Sequence, residues 1–132
     1  MTIFIDTSAI IALAVGEDTF HSKALQWNES HQRESFTTTN LVFMEVMSWI
    51  RYKRGKSVAV ELGNNLLSGQ GISIERVAMD DERKAWDLFQ KADGRGLSMV
   101  DCTTAVVMKR LKIGDIFTFD TDFSRLGFTI CP

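Results

Sequence analysis

Apolar and polar positions follow two periods along this chain. Short runs of apolar or β-branched residues occur at Thr2–Asp6, Ser35–Thr38, Ile72–Val77, Ile116–Phe119 and Phe128–Ile130. Runs of that length, bounded by polar residues or glycine, predict strands. Between them apolar residues recur at helical spacing over Ser8–Val15, Thr19–His31, Leu41–Arg54, Val58–Leu67, Asp81–Ala92 and Met99–Leu111, and these segments predict helices. Strands that alternate with helices imply βαβ units. The expected fold is α/β, with a mostly parallel central sheet of four or five strands and helices on both faces. The one proline is Pro132 and no low-complexity stretch interrupts the pattern, so residues 1–132 read as one domain. A chain of this size buries roughly two-thirds of its unfolded surface and needs no disulfide or metal to fold.

In such folds ligands bind beyond the carboxyl ends of the strands. Two of the predicted strands end in acids. The first runs through "TIFIDTSAI" into Asp6, and the fourth runs into "TFDTDF", Thr118 to Phe123. A lone buried charge costs several kcal/mol unless it is neutralised. Asp6 therefore either caps the helix that follows or has something positive against it. Glu45 is the one charge in the apolar stretch "NLVFMEVMSWI", on a helical face with Leu41, Val42, Ser48 and Trp49. That face is expected to be largely buried, unless Glu45 lies at its edge and reaches water. Asp101 follows Ser98 by three residues, the spacing of a capping box. Asp120 and Asp122 suit a turn that opens a short helix.

Each acid alone has a structural reading, but the set changes the picture. Asp6, Glu45, Asp101 and Asp120 all fall where an α/β fold brings them to one edge of the sheet. Four clustered carboxylates must protonate in part or bind cations. An all-oxygen donor set fits one or two hard divalent ions, Mg²⁺ or Mn²⁺, which keep some of their waters. The cations that flank Asp101 in sequence, Arg95 and Lys109, lie away from the strand ends.

In order and spacing these motifs resemble the PIN domain family, in particular the VapC-type ribonuclease toxins of toxin–antitoxin pairs. "FIDTSAIIAL" is similar to the family's opening strand with its first acid, and "NLVFMEVMSWIRYKRG" to the helix that carries the second. "GLSMVDCTTAVVMKRLKI" is similar to the segment with the third acid, and "IFTFDTDFSRLGF" to the closing pattern. The resemblance spans essentially the whole chain. It implies a Mg²⁺- or Mn²⁺-dependent endoribonuclease with catalytic residues Asp6, Glu45, Asp101 and Asp120. Asp6, Asp101 and Asp120 would be the main metal ligands, with Glu45 and Asp122 as further candidates. Thr7, Ser98 and Thr118 would hold the carboxylates in position. It also implies an RNA substrate, a small cognate antitoxin protein and a homodimer. The alternatives are a catalytically silent RNA- or protein-binding module and an acidic-pocket phosphatase-like domain. "FIDTSA" lacks the second nearby acid of the Asp-x-Asp phosphatases.

Net charge is −2, so any attraction for nucleic acid must come from a local basic patch. Arg51, Lys53, Arg54 and Lys56 form such a cluster after the Glu45 helix. It reads either as a phosphate-contacting rim or as cations that complement a helix dipole. His21 and His31 are expected at the surface, and Trp27, Trp49 and Trp86 as core or interface anchors. Cys102 packs as a small hydrophobe, and two cysteines fit a reducing cytoplasm. No signal peptide and no membrane helix is expected.

Overall fold

The structure is a computed structural model that describes residues 1–132. Strands β1 (Thr2–Ile5), β2 (Ser35–Thr39), β3 (Ile72–Glu75), β4 (Asp115–Phe117) and β5 (Thr129–Cys131) form one sheet in the order β3-β2-β1-β4-β5. Every pairing is parallel; Ile3 lies opposite Phe36, and Phe4 opposite Ile116. The expected mostly parallel sheet is thus fully parallel. Six α-helices connect it: α1 (Thr7–Ala14), α2 (His21–Ser30), α3 (Asn40–Arg54), α4 (Lys56–Leu67), α5 (Met79–Lys91) and α6 (Met99–Arg110). A 3₁₀ helix, Thr121–Leu126, links β4 to β5.

The order fixes where a ligand can bind. From β1 the chain steps outward through β2 to β3, and after α5 and α6 it returns to β4 on the other side of β1. Right-handed crossovers in opposite directions put α1–α4 on one face and α5–α6 on the other. Neighbouring β1 and β4 are therefore the switch point, and the crevice lies beyond their carboxyl ends. The residues there are Asp6 and the segment that starts at Thr118.

Beneath that edge the core is apolar. Ile3, Phe4, Ile5, Ile116 and Phe117 are buried, and so are Val42, Val46 and Ile50 of α3. Each such side chain contributes about 1.5–3 kcal/mol of burial free energy. Thr39 caps α3 by accepting from the Val42 N–H at 3.2 Å. Gly55, at φ +92°, ends that helix in a conformation that glycine adopts without strain.

The buried stripe of α3 corrects one expectation. It runs along Val42, Val46 and Ile50, so Ser48 and Trp49, which share the Glu45 face, are exposed rather than buried. Glu45 sits at the margin between the two faces. Trp86 is also exposed, whereas Trp27 packs on the core against Phe117. His21 and His31 are not free surface groups. Each is partly buried and donates from Nδ1 to a main-chain carbonyl at 2.7 Å, that of Ala12 and of Trp27 respectively. Arg110 is committed as well: it bonds Asp81 through Nε and Nη2 and Glu75 through Nη1, tying α6 to α5 and β3. No helix is long and apolar enough to cross a membrane.

Candidate active site

Asp6 follows β1 directly and occupies the N-cap position of α1, yet its side chain makes no cap bond to that helix. Its Oδ2 instead accepts from Thr118 Oγ1 at 3.0 Å, across the β1–β4 switch point. It is 4% exposed and takes part in no ion pair. Burial pushes its carboxyl up to about 7; Asp101 and Glu45 push the same way, against the Thr7 main-chain N–H and the Thr118 hydroxyl. Asp81 shows the contrast. It is equally buried, but Arg110 neutralises it and holds its carboxyl below the usual range.

Thr118 is the hub. Its proton goes to Asp6, so Ser8 Oγ donates to it at 3.1 Å, and Thr118 Oγ1 also accepts the Asp120 N–H at 3.0 Å. Ser8 Oγ in turn accepts the Phe119 N–H at 2.9 Å. One hydroxyl pair thus pins the first turn of α1 to the start of the segment after β4. Thr7 does the same for α3: its Oγ1 donates to Glu45 Oε1 at 2.6 Å, within the short range of charge-assisted bonds.

Asp101 closes a complete capping box. Its N–H donates to Ser98 Oγ at 3.1 Å and its Oδ2 accepts the Ser98 N–H at 2.9 Å. Its carboxyl is nonetheless raised, mostly by burial, with Asp120 and Glu45 adding like charge. The structural and chemical readings therefore coexist here: one oxygen caps and the group still senses the acids of three other segments. Asp120 caps the 3₁₀ helix by accepting the Asp122 N–H at 2.9 Å. Asp122 itself turns away. Its carboxylate packs against Gly96, where an added Cβ would overlap it, and lines a separate cavity of about 240 Å³ with Asp93 and Arg125.

Four acids thus lie within electrostatic reach of one another, each tethered by a neighbouring hydroxyl or main-chain N–H, and no cation is among them. All donors are oxygens, which fits a hard divalent ion. No three of the acids converge on one point as closely as the ligands of a single bound ion do.

Of the basic cluster, Arg54 is paired with Glu17 in the turn that follows α1, while Arg51, Lys53 and Lys56 are exposed and unpaired. Lys56 opens α4 rather than trailing α3. Ser8 did not stand out in the sequence as a site residue; its position two residues after Asp6, on the first turn of a helix, was the signal available.

A PIN domain family model matches residues 3–129. The "23S rRNA-specific endonuclease VapC20" of Mycobacterium tuberculosis, from strain H37Rv and from strain CDC 1551, is 33% identical over 127 residues, which is 96% of this chain and 95% of that protein. The crystal structure of M. tuberculosis VapC20, described as a sarcin–ricin loop cleaving toxin, superposes with a TM-score of 0.88 at 31% identity and covers 96% of both chains. VapBC2 from Rickettsia felis, bound to a promoter DNA fragment, shares the fold with a TM-score of 0.69 at 12% identity, over 99% of this chain and 98% of that one.

Proposed function

The chain belongs to the PIN domain family, and from that premise we propose that it is a metal-dependent endoribonuclease, the toxin of a toxin–antitoxin pair. The observation that carries the reading is Asp6, a buried carboxylate with no counter-charge, held by Thr118 in front of Asp101 and Glu45. A chain that kept this group for stability alone would pair it, as this one pairs Asp81. The names of the M. tuberculosis relatives point the same way, to an endonuclease that acts on ribosomal RNA.

Asp6, Asp101 and Asp120 would hold one or two Mg²⁺ or Mn²⁺ ions. When bound, such an ion supplies Lewis acidity toward the phosphodiester and toward water, so no catalytic His or Cys is needed. The chain's own groups do the rest. Thr118 fixes the Asp6 carboxylate and, through the Asp120 N–H, the start of the loop that bears Asp120. Ser98 fixes Asp101. Glu45 keeps Oε1 on Thr7, which leaves Oε2 to orient the attacking water and receive its proton. Asp122 acts from outside, holding Asp120 through its main-chain N–H. Arg51, Lys53 and Lys56 supply a cationic rim for RNA phosphates. A small antitoxin protein and a second copy of the chain complete the reading as partners.

The test is incubation of the purified protein with 23S rRNA and with a sarcin–ricin hairpin oligonucleotide, in Mg²⁺, in Mn²⁺ and in EDTA. Strand scission is expected with metal and not in EDTA, and not from a folded Asp6→Asn variant. Equal cutting in EDTA would sink the metal mechanism; no cutting of any RNA in Mn²⁺ would sink the nuclease reading.

A further inference from the structure

A concavity of about 450 Å³ lies directly beside the acids, and its walls include Ile11, Asp18, Phe20, Trp49, Phe119 and Asp120. The Phe20 and Phe119 rings stack 4.5 Å apart at 8°. Phe20 remains 43% exposed and Trp49 37%. Aromatic surface left in water next to reactive carboxylates carries a standing hydrophobic cost that packing inward would remove. The fold does not remove it: Phe119 is set by the Ser8 bond to its N–H, and Trp49 projects from the exposed face of α3.

The charges on the rim narrow the class of ligand. Asp18 gives Oδ1 to the Phe20 N–H at 2.9 Å, and Asp120 faces the same hollow. Two acids repel a phosphate or a carboxylate. What fits is flat and uncharged, apolar on its faces, with polar hydrogens on its edge. A nucleobase has all of these, and stacking on aromatic side chains is how single strands are commonly held. The helix continues the path. Trp49 stands one turn beyond Glu45, and the next turn carries Tyr52, 85% exposed, with Lys53 Nζ 5.5 Å from the centre of its ring.

We propose that Phe20, Phe119 and Trp49 form a base-stacking subsite for a nucleotide that flanks the scissile phosphate, with Tyr52 and Lys53 extending the track along α3. The subsite rests on the nuclease reading and adds to it a specific requirement: one base next to the cut is unstacked from its RNA neighbours and bound by the protein.

The test is a double-mutant cycle between protein and RNA. The RNA is a short oligoribonucleotide in which the wild-type protein cuts one mapped bond in Mn²⁺, with single abasic nucleotides placed in turn on either side. The protein variants are Trp49→Leu and Phe20→Leu, each checked by melting temperature; if one does not fold, the other carries the measurement. At one flanking position, loss of the base is expected to lower kcat/KM for the wild type by about tenfold or more, the usual scale of one base stacked on an aromatic. Each variant should show a similar loss on intact RNA and little further loss on that abasic RNA. Losses that multiply at every position, or abasic RNAs that are all cut normally, overturn the subsite while leaving the nuclease intact. Absence of any cutting by the wild type refutes the nuclease and the subsite together.

Discussion

Replacing Asp6 with asparagine should make the metal-free protein more stable at and above neutral pH. The Asp6 carboxyl titrates at about 7 in the folded protein against 3.8 without the fold. The folded state therefore holds this proton more tightly than the unfolded chain. Stability from this group is complete below about pH 4, drains between pH 4 and 7, and is flat above that. At 1.36 kcal/mol for each tenfold difference in proton affinity, the loss across that window is about 4 kcal/mol at most. Local relaxation and water entry reduce it, so 2–4 kcal/mol is the working range. Asparagine keeps the shape and still accepts the Thr118 hydroxyl, but carries no charge to bury. In EDTA at pH 8, urea unfolding should place Asp6→Asn about 2–4 kcal/mol above the wild type, a rise of roughly 10 °C in Tm. The gap should close toward pH 4. Mn²⁺ at pH 7.5 should raise the wild-type Tm and leave the variant nearly unmoved. A variant less stable than the wild type at pH 8, with a wild type insensitive to pH from 4 to 7, would refute the claim that this carboxylate is an uncompensated charge.

Three further outcomes follow from the same geometry. Asp101→Asn retains the capping bond to the Ser98 N–H and should shift stability by less than about 1 kcal/mol in EDTA while abolishing most cleavage in saturating Mn²⁺; intact cleavage would return Asp101 to a purely structural role. Arg110→Met strands the buried Asp81 and should cost about 2–4 kcal/mol in urea unfolding, an effect that Asp81→Asn in the same chain should largely relieve. Gly96→Ala pushes against the Asp122 carboxylate, whose flexible end can turn aside, and should change stability in urea unfolding by less than about 1 kcal/mol; a larger loss that Asp122→Ala recovers would mean that this carboxylate is fixed in place.

Most of the frame was legible in the sequence because its signals are local. Continuous apolar runs such as Ile3–Ile5 carry their own strand signal, and Ser98 with Asp101 marks a helix start whatever lies around it. The gathering of Asp6, Glu45, Asp101 and Asp120 at one edge followed from topology, since each precedes or opens a helix after a strand or lies on a connecting helix. What was not legible depends on contacts between distant segments. The helical period put Trp49 on the face of Glu45 but could not say that the core would take Val42, Val46 and Ile50 instead. Nor could it show Arg110 spent on Asp81 and Glu75, or Arg54 on Glu17. The stack of Phe20 on Phe119 joins residues about a hundred positions apart, and nothing in either neighbourhood announces the other.

The Asp6–Thr118 bond, which closes over 112 positions of chain, has a consequence for when activity can begin. All-parallel pairing offers no hairpin to start from, so the switch point forms only after three crossovers and their helices have been made. A ribosome that has released the first hundred residues has delivered Asp6 and Glu45 but neither Asp101 nor Asp120. At roughly 5–20 residues per second, synthesis therefore holds the nascent chain without a complete site for on the order of ten seconds. For the nuclease proposed above, the order of residues along the chain works as a delay, and it ends only when the last acid is in place.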